Sequence, residues 1–247
     1  KNPMNAVPTI KKSNYLAKQN KEVLPVCETI TVFTDEEIEK FKAEAYKKYP
    51  SGKPKHNQAS AYILMLNTGL RTAEALGLIN SDIDLEKKVM HIQRGVKEAQ
   101  KRDGTERKSG REIIVGKLKT ASSKRIVPLN ETAIQAIIEL RNERYFGEDA
   151  PLIPDADGNF TRPLNLRKRF YSILDAAGIE KKGLHSLRHT FATKLVTGVR
   201  DEEGTVKALT PRQVADLLGH TTSEITEMYY VKRNTDMLMG VTNGFEL

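Results

Sequence analysis

The apolar stretch at residues 58–68 constrains the fold of this chain more than any other feature. Ala61, Leu64 and Met65 belong to a run of helix-compatible residues that is too hydrophobic to lie at a protein surface. Gly69 ends the predicted helix, and a second short helix is predicted to begin near Arg71. The rest of the chain must therefore supply the elements that bury this helix.

The surrounding patterns predict an α+β fold, mostly helical with one small antiparallel β-sheet. Thr34 and Glu37 form a capping box that opens a helix to about residue 48. Strands are predicted at residues 89–92, 113–118 and 124–129. Further helices are predicted at residues 130–144, 166–177, 185–197 and 210–218, and from residue 221 onwards.

Three polar segments interrupt these elements. Residues 1–30 are rich in lysine and proline and are predicted to be a linker. Residues 97–111 carry six basic residues, which predicts either a projecting insertion that contacts DNA or protein, or a solvated loop. Residues 198–209 are predicted to be a polar loop.

Charge points to a polyanionic partner without proving one. The chain carries 40 basic and 32 acidic residues, a net charge of +8, and a positive surface favours nucleic acid; solubility alone explains it equally well. The single cysteine, Cys27, excludes an internal disulfide and fits a reducing cytoplasm. No signal peptide is visible in the printed sequence, and no apolar run in it is long enough to span a membrane.

Two arginines and a histidine are candidates for binding a phosphate. His185 and Arg188 are three positions apart on a predicted helix and share one face, so both can donate to one anion. Arg71 follows the buried helix, and Glu74 is placed to hold its side chain. The alternatives are a surface arginine at Arg188 and an ordinary helix-start salt bridge at Arg71.

Three further positions complete the set of candidates: a lysine, a histidine and one of two neighbouring tyrosines. Lys119 lies in a polar turn between two predicted strands, where it either reaches a phosphate or is a solvated loop lysine. His220 follows the end of an apolar helix, and Tyr229 lies nine residues later. Tyr229 and Tyr230 are about 100° apart on a helix, so only one is expected to enter a site. His189 is predicted to be a buried structural histidine that points away from Arg188.

The sequence offers no pattern typical of a metal, a nucleotide cofactor or a serine hydrolase. The five histidines and one cysteine lack the spacing of a zinc site, and no glutamate follows His185 as a zincin-type motif requires. A glycine-rich phosphate loop and a Gly-x-Ser-x-Gly motif are also missing. We therefore expect neither cofactor nor metal.

Four blocks of the sequence, in order, resemble the catalytic domain of tyrosine recombinases of the phage-integrase type. The likeness is greatest to integrases of bacterial conjugative transposons and phages. Residues 68–74 (TGLRTAE) resemble the first-arginine box and residues 185–193 (HSLRHTFAT) the second. Lys119, before the strand RIVPL, resembles the hairpin lysine, and residues 217–220 (LLGH) with the tyrosine nine positions on resemble the final box.

The resemblance implies DNA cleavage and rejoining through a covalent intermediate. Tyr229 attacks the scissile phosphate and forms a 3′-phosphotyrosine, and Lys119 protonates the leaving 5′-oxygen, which is released as a 5′-hydroxyl. Arg71 and Arg188 hold the nonbridging oxygens. His185 and His220 add hydrogen-bond donors or steer protons.

The resemblance also implies the organisation and the partners. Residues 1–30 would be the linker from an N-terminal core-binding domain, residues 31–233 the catalytic domain, and residues 234–247 a C-terminal tail. The expected partner is double-stranded DNA at the ends and target of a mobile element, bound by a homotetramer with accessory excision or architectural proteins. A cytoplasmic, nucleoid-associated location is expected.

Two other functions fit the same residues. One is relaxation of supercoiled DNA by the type IB topoisomerase reaction, without synapsis. The other is a non-catalytic DNA-binding module that keeps the fold, although such a module needs no phenol beside a phosphate site.

Overall fold

The computed structural model describes residues 31–103, 106–117, 124–200 and 206–219. By compactness the chain divides into Lys1–Ile30 and Thr31–Leu247, and every described residue belongs to the second unit. The predicted linker, the predicted helix that carries both tyrosines, and the C-terminal tail lie outside the described residues.

Seven α-helices occur in the described residues, and local capping signals set several of their ends. Thr34 forms the predicted capping box with Glu37, the Asn130 side chain accepts the amide of Ala133, and Thr210 caps the last helix. The helices are α1 (Asp35–Ala45), α2 (Ser60–Thr68), α3 (Thr72–Gly77), α4 (Glu131–Glu143), α5 (Pro163–Ala176), α6 (His185–Thr197) and α7 (Pro211–Leu218). Helix α5 begins three residues earlier than predicted because Pro163 occupies its first turn.

The described strands form three separate antiparallel sheets. The strands are β1 (Ile83–Asp84), β2 (Val89–Ile92), β3 (Arg94–Asp103), β4 (Glu106–Lys117), β5 (Arg125–Pro128), β6 (Val199–Arg200) and β7 (Val206–Lys207). One sheet has the order β1-β2-β5, while β3 pairs with β4 and β6 pairs with β7. The α+β class is confirmed, but the expectation of a single sheet is wrong.

The described residues of the segment 97–111, which are 97–103 and 106–111, belong to a long two-stranded ribbon and not to a solvated loop. Strand β3 pairs with β4 from Arg94↔Lys117 to Asp103↔Glu106, with an irregularity near residue 101. The strand predicted at residues 113–118 therefore pairs within this ribbon, and β2 pairs instead with β5, Ile92 opposite Arg125. The predicted loop at residues 198–209 contains the short β6–β7 ribbon, with Val199 opposite Lys207.

Helix α2 is the centre of the core, as its composition predicts. All of its residues except Asn67 are buried, and it packs against α4 and α6. The Tyr62 hydroxyl donates to the Leu166 carbonyl (2.8 Å), and its ring lies 5.3 Å from that of Phe170. Burying this helix on all sides fixes the point where it ends, at Gly69.

A smaller apolar cluster joins α6 to α7. Its buried members are Ala192, Val196, Val214 and Leu218. The cluster holds the carboxyl end of α7 against the carboxyl end of α2, which places Leu218 beside Gly69. None of the helices in the described ranges has the length and apolarity needed to cross a membrane.

Candidate active site

Arg71 lies at the junction between α2 and α3, as the sequence predicts. It is the extended residue that precedes α3, and about a third of its side chain is exposed. Glu74 holds it twice, because its carboxylate accepts the Arg71 amide (2.8 Å) and Nη1 (2.7 Å). The predicted partnership with Glu74 is confirmed, and it orients the guanidinium rather than leaving it a loose surface charge.

Gly69 makes this junction possible. Its backbone is left-handed (φ +63°), and a Cβ placed there would lie 2.5 Å from side-chain atoms of Leu218 and Phe191. Glycine is therefore required here for two reasons: the helix ends in a left-handed conformation, and side chains of α6 and α7 approach the backbone closely.

We expect Gly69→Ala to lower the free energy of unfolding by about 2–5 kcal/mol, the sum of a left-handed backbone and an overpacked contact. Gly178→Ala is the matched control, since Gly178 has φ +64° but nothing within 4 Å of an added Cβ. It should lose about 1–2 kcal/mol. Urea denaturation measures both, and equal losses would contradict the close approach at Gly69.

Arg188 lies inside the protein and is not a surface arginine. Only 2% of its side chain is exposed. Its Nη1 donates to the Gly69 carbonyl (2.7 Å) and its Nη2 to the Leu218 carbonyl (2.8 Å). Arg188 thus joins the ends of α2 and α7, and it brings its charge to the junction that carries Arg71.

His185 begins α6 and shares this environment. Partial burial of the ring lowers the pKa of His185, and the nearby charges of Arg188 and Arg71 lower it further, while Glu74 opposes them. These effects favour the neutral imidazole, which has one N–H donor. The ring of His189 lies 4.4 Å from that of His185, edge to face. The expectation that His189 is buried and points away is wrong: it is half-buried and packs on His185.

We expect Arg71→Gln to raise the pKa of His185 towards its usual value, because the substitution removes one of the charges that lower it. NMR titration of the imidazole signals measures this, with His185→Gln assigning the resonance. Arg162→Gln, which removes an arginine that contacts Glu98 instead, should leave the pKa of His185 unchanged. No change on substitution of Arg71 would contradict the proximity of the two groups.

Glu74 is a buried carboxylate shared by three arginines, and one of these, Arg125, was missed at the level of sequence. Arg125 Nη1 lies 3.0 Å from Glu74 Oε1, and Arg125 Nη2 lies 3.0 Å from Glu74 Oε2. Arg188 Nη1 lies 3.9 Å from Glu74 Oε2. The signal for Arg125 is strand alternation. In β5, Arg125 shares a face with buried Val127, whereas Ile126 is exposed, so Arg125 faces inward and requires a partner.

The arginine cluster, which consists of Arg71, Arg125 and Arg188 around Glu74, carries charges that favour the binding of an anion. Burial alone would raise the pKa of Glu74. The hydrogen bonds and the charge of Arg125, together with the hydrogen bonds from Arg71, outweigh burial, so the pKa of Glu74 is lowered. The carboxylate is therefore ionised and balances one of the three guanidinium groups, which leaves two positive charges. A phosphate is the kind of group that such a surplus binds.

The structure brings together three of the six predicted residues. Lys119, His220 and Tyr229 lie outside the described residues, as does Tyr230. The described chain reaches Gly219, the residue directly before His220. The Gly219 carbonyl accepts a hydrogen bond from Arg71 Nη2 at 3.4 Å. Within the described ranges there is no group of three or more histidine, cysteine or acidic side chains that could hold a metal ion.

Comparison with known proteins gives one family. The model of the phage integrase family matches residues 31–236. The tyrosine recombinase XerC-like protein of Caldanaerobacter subterraneus subsp. tengcongensis is 33% identical over 215 residues, 81% of this chain and 50% of that protein. Tyrosine recombinase XerC of Corynebacterium glutamicum is 28% identical and covers 71% of this chain and 46% of that protein. The chain spans about half the length of the curated relatives it matches.

Solved structures share the fold at low identity. The Tn1549 transposon integrase in complex with a circular intermediate DNA superposes with a TM-score of 0.64 at 18% identity, covering 89% of this chain and 67% of that one. A lambda integrase dimer bound to a core site gives 0.55 at 15% identity, covering 90% and 53%. At this identity the likeness establishes the architecture.

Proposed function

The chain belongs to the phage integrase family, and we propose that it is the catalytic domain of a site-specific DNA recombinase. The reaction cuts a DNA strand and rejoins it through a 3′-phosphotyrosine intermediate. The observation that carries the proposal is the meeting of Arg71, Arg188 and His185 beside the end of α7, from which the chain continues to His220.

The covalent step uses Tyr229 and Lys119. The Tyr229 hydroxyl gives up its proton to solvent as its oxygen attacks the phosphorus, so that a P–O bond to the tyrosine forms and the bond to the 5′-oxygen breaks. Lys119 gives the leaving oxygen its proton, which yields a 5′-hydroxyl. Rejoining reverses these steps with the 5′-hydroxyl of another strand, and the bond energy is conserved in the phosphotyrosine, so ATP is not consumed.

The arginine cluster supplies the electrostatic stabilisation of the transition state. Negative charge builds on the nonbridging oxygens in the transition state, and fixed donors aimed at these oxygens accelerate the step. Arg71 and Arg188 are held by backbone carbonyls and Glu74. Neutral His185, together with His220, adds hydrogen bonds to the phosphate.

The partners follow from the reaction and from the relatives. We propose double-stranded DNA at the ends and target of a mobile element as the substrate, bound by a homotetramer with accessory excision or architectural proteins. The net charge of +8 and the likeness to a transposon integrase solved in complex with a circular intermediate DNA support the substrate. The cytoplasmic, nucleoid-associated location stays a prediction.

A nicked suicide substrate tests the proposal. Duplexes that span the junctions of the mobile element carry a nick beside the cleavage position, so that the released fragment diffuses away and the protein remains attached to the DNA. We expect a denaturant-resistant adduct in EDTA and without ATP. Retarded DNA without an adduct would instead indicate a binding module, and plasmid relaxation without recombination would indicate topoisomerase activity.

A further inference from the structure

Three arginines hold three consecutive carbonyl oxygens at the carboxyl end of α7. The pairs are Arg125 Nε with the Leu217 carbonyl (2.9 Å), Arg188 Nη2 with the Leu218 carbonyl (2.8 Å) and Arg71 Nη2 with the Gly219 carbonyl (3.4 Å). The last carbonyls of a helix have no partners within it, and cations stabilise this end. The same three arginines meet at Glu74. The path of the chain up to Gly219 is therefore set by the arginine cluster.

Arg125 differs from the other two in how it uses its guanidinium. It gives its two-pronged edge to Glu74, one bond to each oxygen at 3.0 Å, and its Nε to Leu217. All three of its nitrogens thus have acceptors within the protein, and the carboxylate balances its charge. Only 7% of its side chain is exposed, against 34% for Arg71. Arg125 is built to hold the protein together.

The sheet gives Arg125 a fixed base. It is the first residue of β5 and lies opposite Ile92, the last residue of β2, so its backbone belongs to a hydrogen-bonded ladder. Its side chain extends from this sheet to Glu74 in α3 and to the end of α7. The residue thereby joins three elements, and one of them leads directly into His220.

We propose that Arg125 is a positioning residue: it fixes the carboxyl end of α7, the point from which the chain continues to His220. The proposal rests on the proposed function, in which His220 donates to the phosphate. Arg125 acts through the backbone of residues 217–219 and does not itself contact the DNA. Displacing a reacting group by about 1 Å can cost about 10²-fold in rate.

Single-turnover cleavage of the nicked duplex by the full chain separates positioning from binding. We expect Arg125→Gln to cleave about 10²-fold more slowly, with DNA affinity and its salt dependence unchanged. Arg94→Gln is the matched control, because Arg94 is also a strand arginine that pairs with a buried carboxylate, Asp82, and reaches a backbone carbonyl, that of Gly77. It should cleave at the wild-type rate. A loss of affinity with a smaller salt slope would make Arg125 a phosphate contact and overturn the proposal.

A double-mutant cycle tests whether Arg125 acts through His220. In the His220→Gln background, Arg125→Gln should have little further effect on the cleavage rate, because the group that it positions is already gone. Arg125→Lys should recover part of the rate in the wild-type background, since an ammonium can still bond one acceptor. If the rate losses of Arg125→Gln and His220→Gln multiplied independently, the proposal would be overturned. A general loss of stability would slow cleavage by the same factor whether or not His220 is present.

Amide hydrogen exchange gives a readout that needs no activity. In Arg125→Gln we expect exchange at residues 217–220 to rise about tenfold or more while α5 stays protected, and Arg94→Gln should leave residues 217–220 unchanged. Unaltered exchange at residues 217–220 in Arg125→Gln would overturn the positioning role even if no cleavage were found. A wild-type chain that forms no adduct would contradict the proposed function and leave this readout to decide the role of Arg125.

Discussion

The Tyr229→Phe protein should form no covalent adduct with DNA, although it should bind DNA as the wild type does. The substitution removes only the phenolic oxygen, so the aromatic ring is retained while the nucleophile is lost. The arginine cluster, Lys119 and both histidines stay in place, but none of them offers an oxygen that can take over the phosphate. We therefore expect the loss to be complete within the limits of a suicide-substrate gel.

Tyr230→Phe is the matched control for this prediction. The two tyrosines are neighbours, and on a helix their side chains would be about 100° apart, so one of them at most enters a shared site. The nine-residue spacing from His220 favours Tyr229. Tyr230→Phe should therefore trap DNA at the wild-type level. An adduct with Tyr229→Phe and none with Tyr230→Phe would reverse the assignment.

The second large effect is expected from Arg188→Ala. The substitution leaves the carbonyls of Gly69 and Leu218 without their donor and empties the space of a fully buried side chain. Breaking a buried charged network in this way costs about 3–5 kcal/mol. Loss of one donor to the transition state costs about 10²–10³ in rate. Urea denaturation and single-turnover cleavage measure the two effects separately.

Two further variants keep this prediction decisive. Arg188→Lys retains the charge but can reach only one of the two carbonyls, so its stability and rate should lie between those of Arg188→Ala and the wild type. Arg162→Ala removes an exposed arginine that bonds Glu98, and it should change stability by no more than about 0.5 kcal/mol. If Arg188→Ala proved as stable and as active as Arg162→Ala, the central role of Arg188 would be wrong.

The helices could be predicted from the sequence because their signals are local. Thr34 with Glu37, Asn130, and Thr210 with Pro211 each set a helix start within a few residues of chain, and Gly69 and Gly219 end helices in left-handed conformations. The uniform apolarity of α2 marks it as central without knowledge of its neighbours.

The sheets could not be predicted because their pairing depends on distant residues. Strand β3 has too few apolar positions to alternate, and only its register with β4 reveals it as a strand. Strand β2 finds its partner β5 more than thirty residues away, beyond the ribbon. Both facts depend on tertiary packing, which overrides weak local preference.

The candidate site likewise has a part that could be predicted from the sequence and a part that could not. The resemblance named Arg71, His185 and Arg188, and the fold brings them to one junction. The burial of Arg188 and the place of Arg125 depend on how three elements meet at Glu74, and no local pattern contains that information. Strand alternation indicates that Arg125 faces inward but does not name its partner.

Mapping the residue that carries the DNA tests the account most directly. Trypsin should release residues 213–232 as one peptide, because no lysine or arginine lies between Arg212 and Lys232. This peptide contains both tyrosines, so fragmentation between them must locate the attached nucleotide. We expect the phosphate on Tyr229 of the trapped wild-type protein. A nucleotide on Tyr230, on a residue outside this peptide, or on no residue at all would contradict the account.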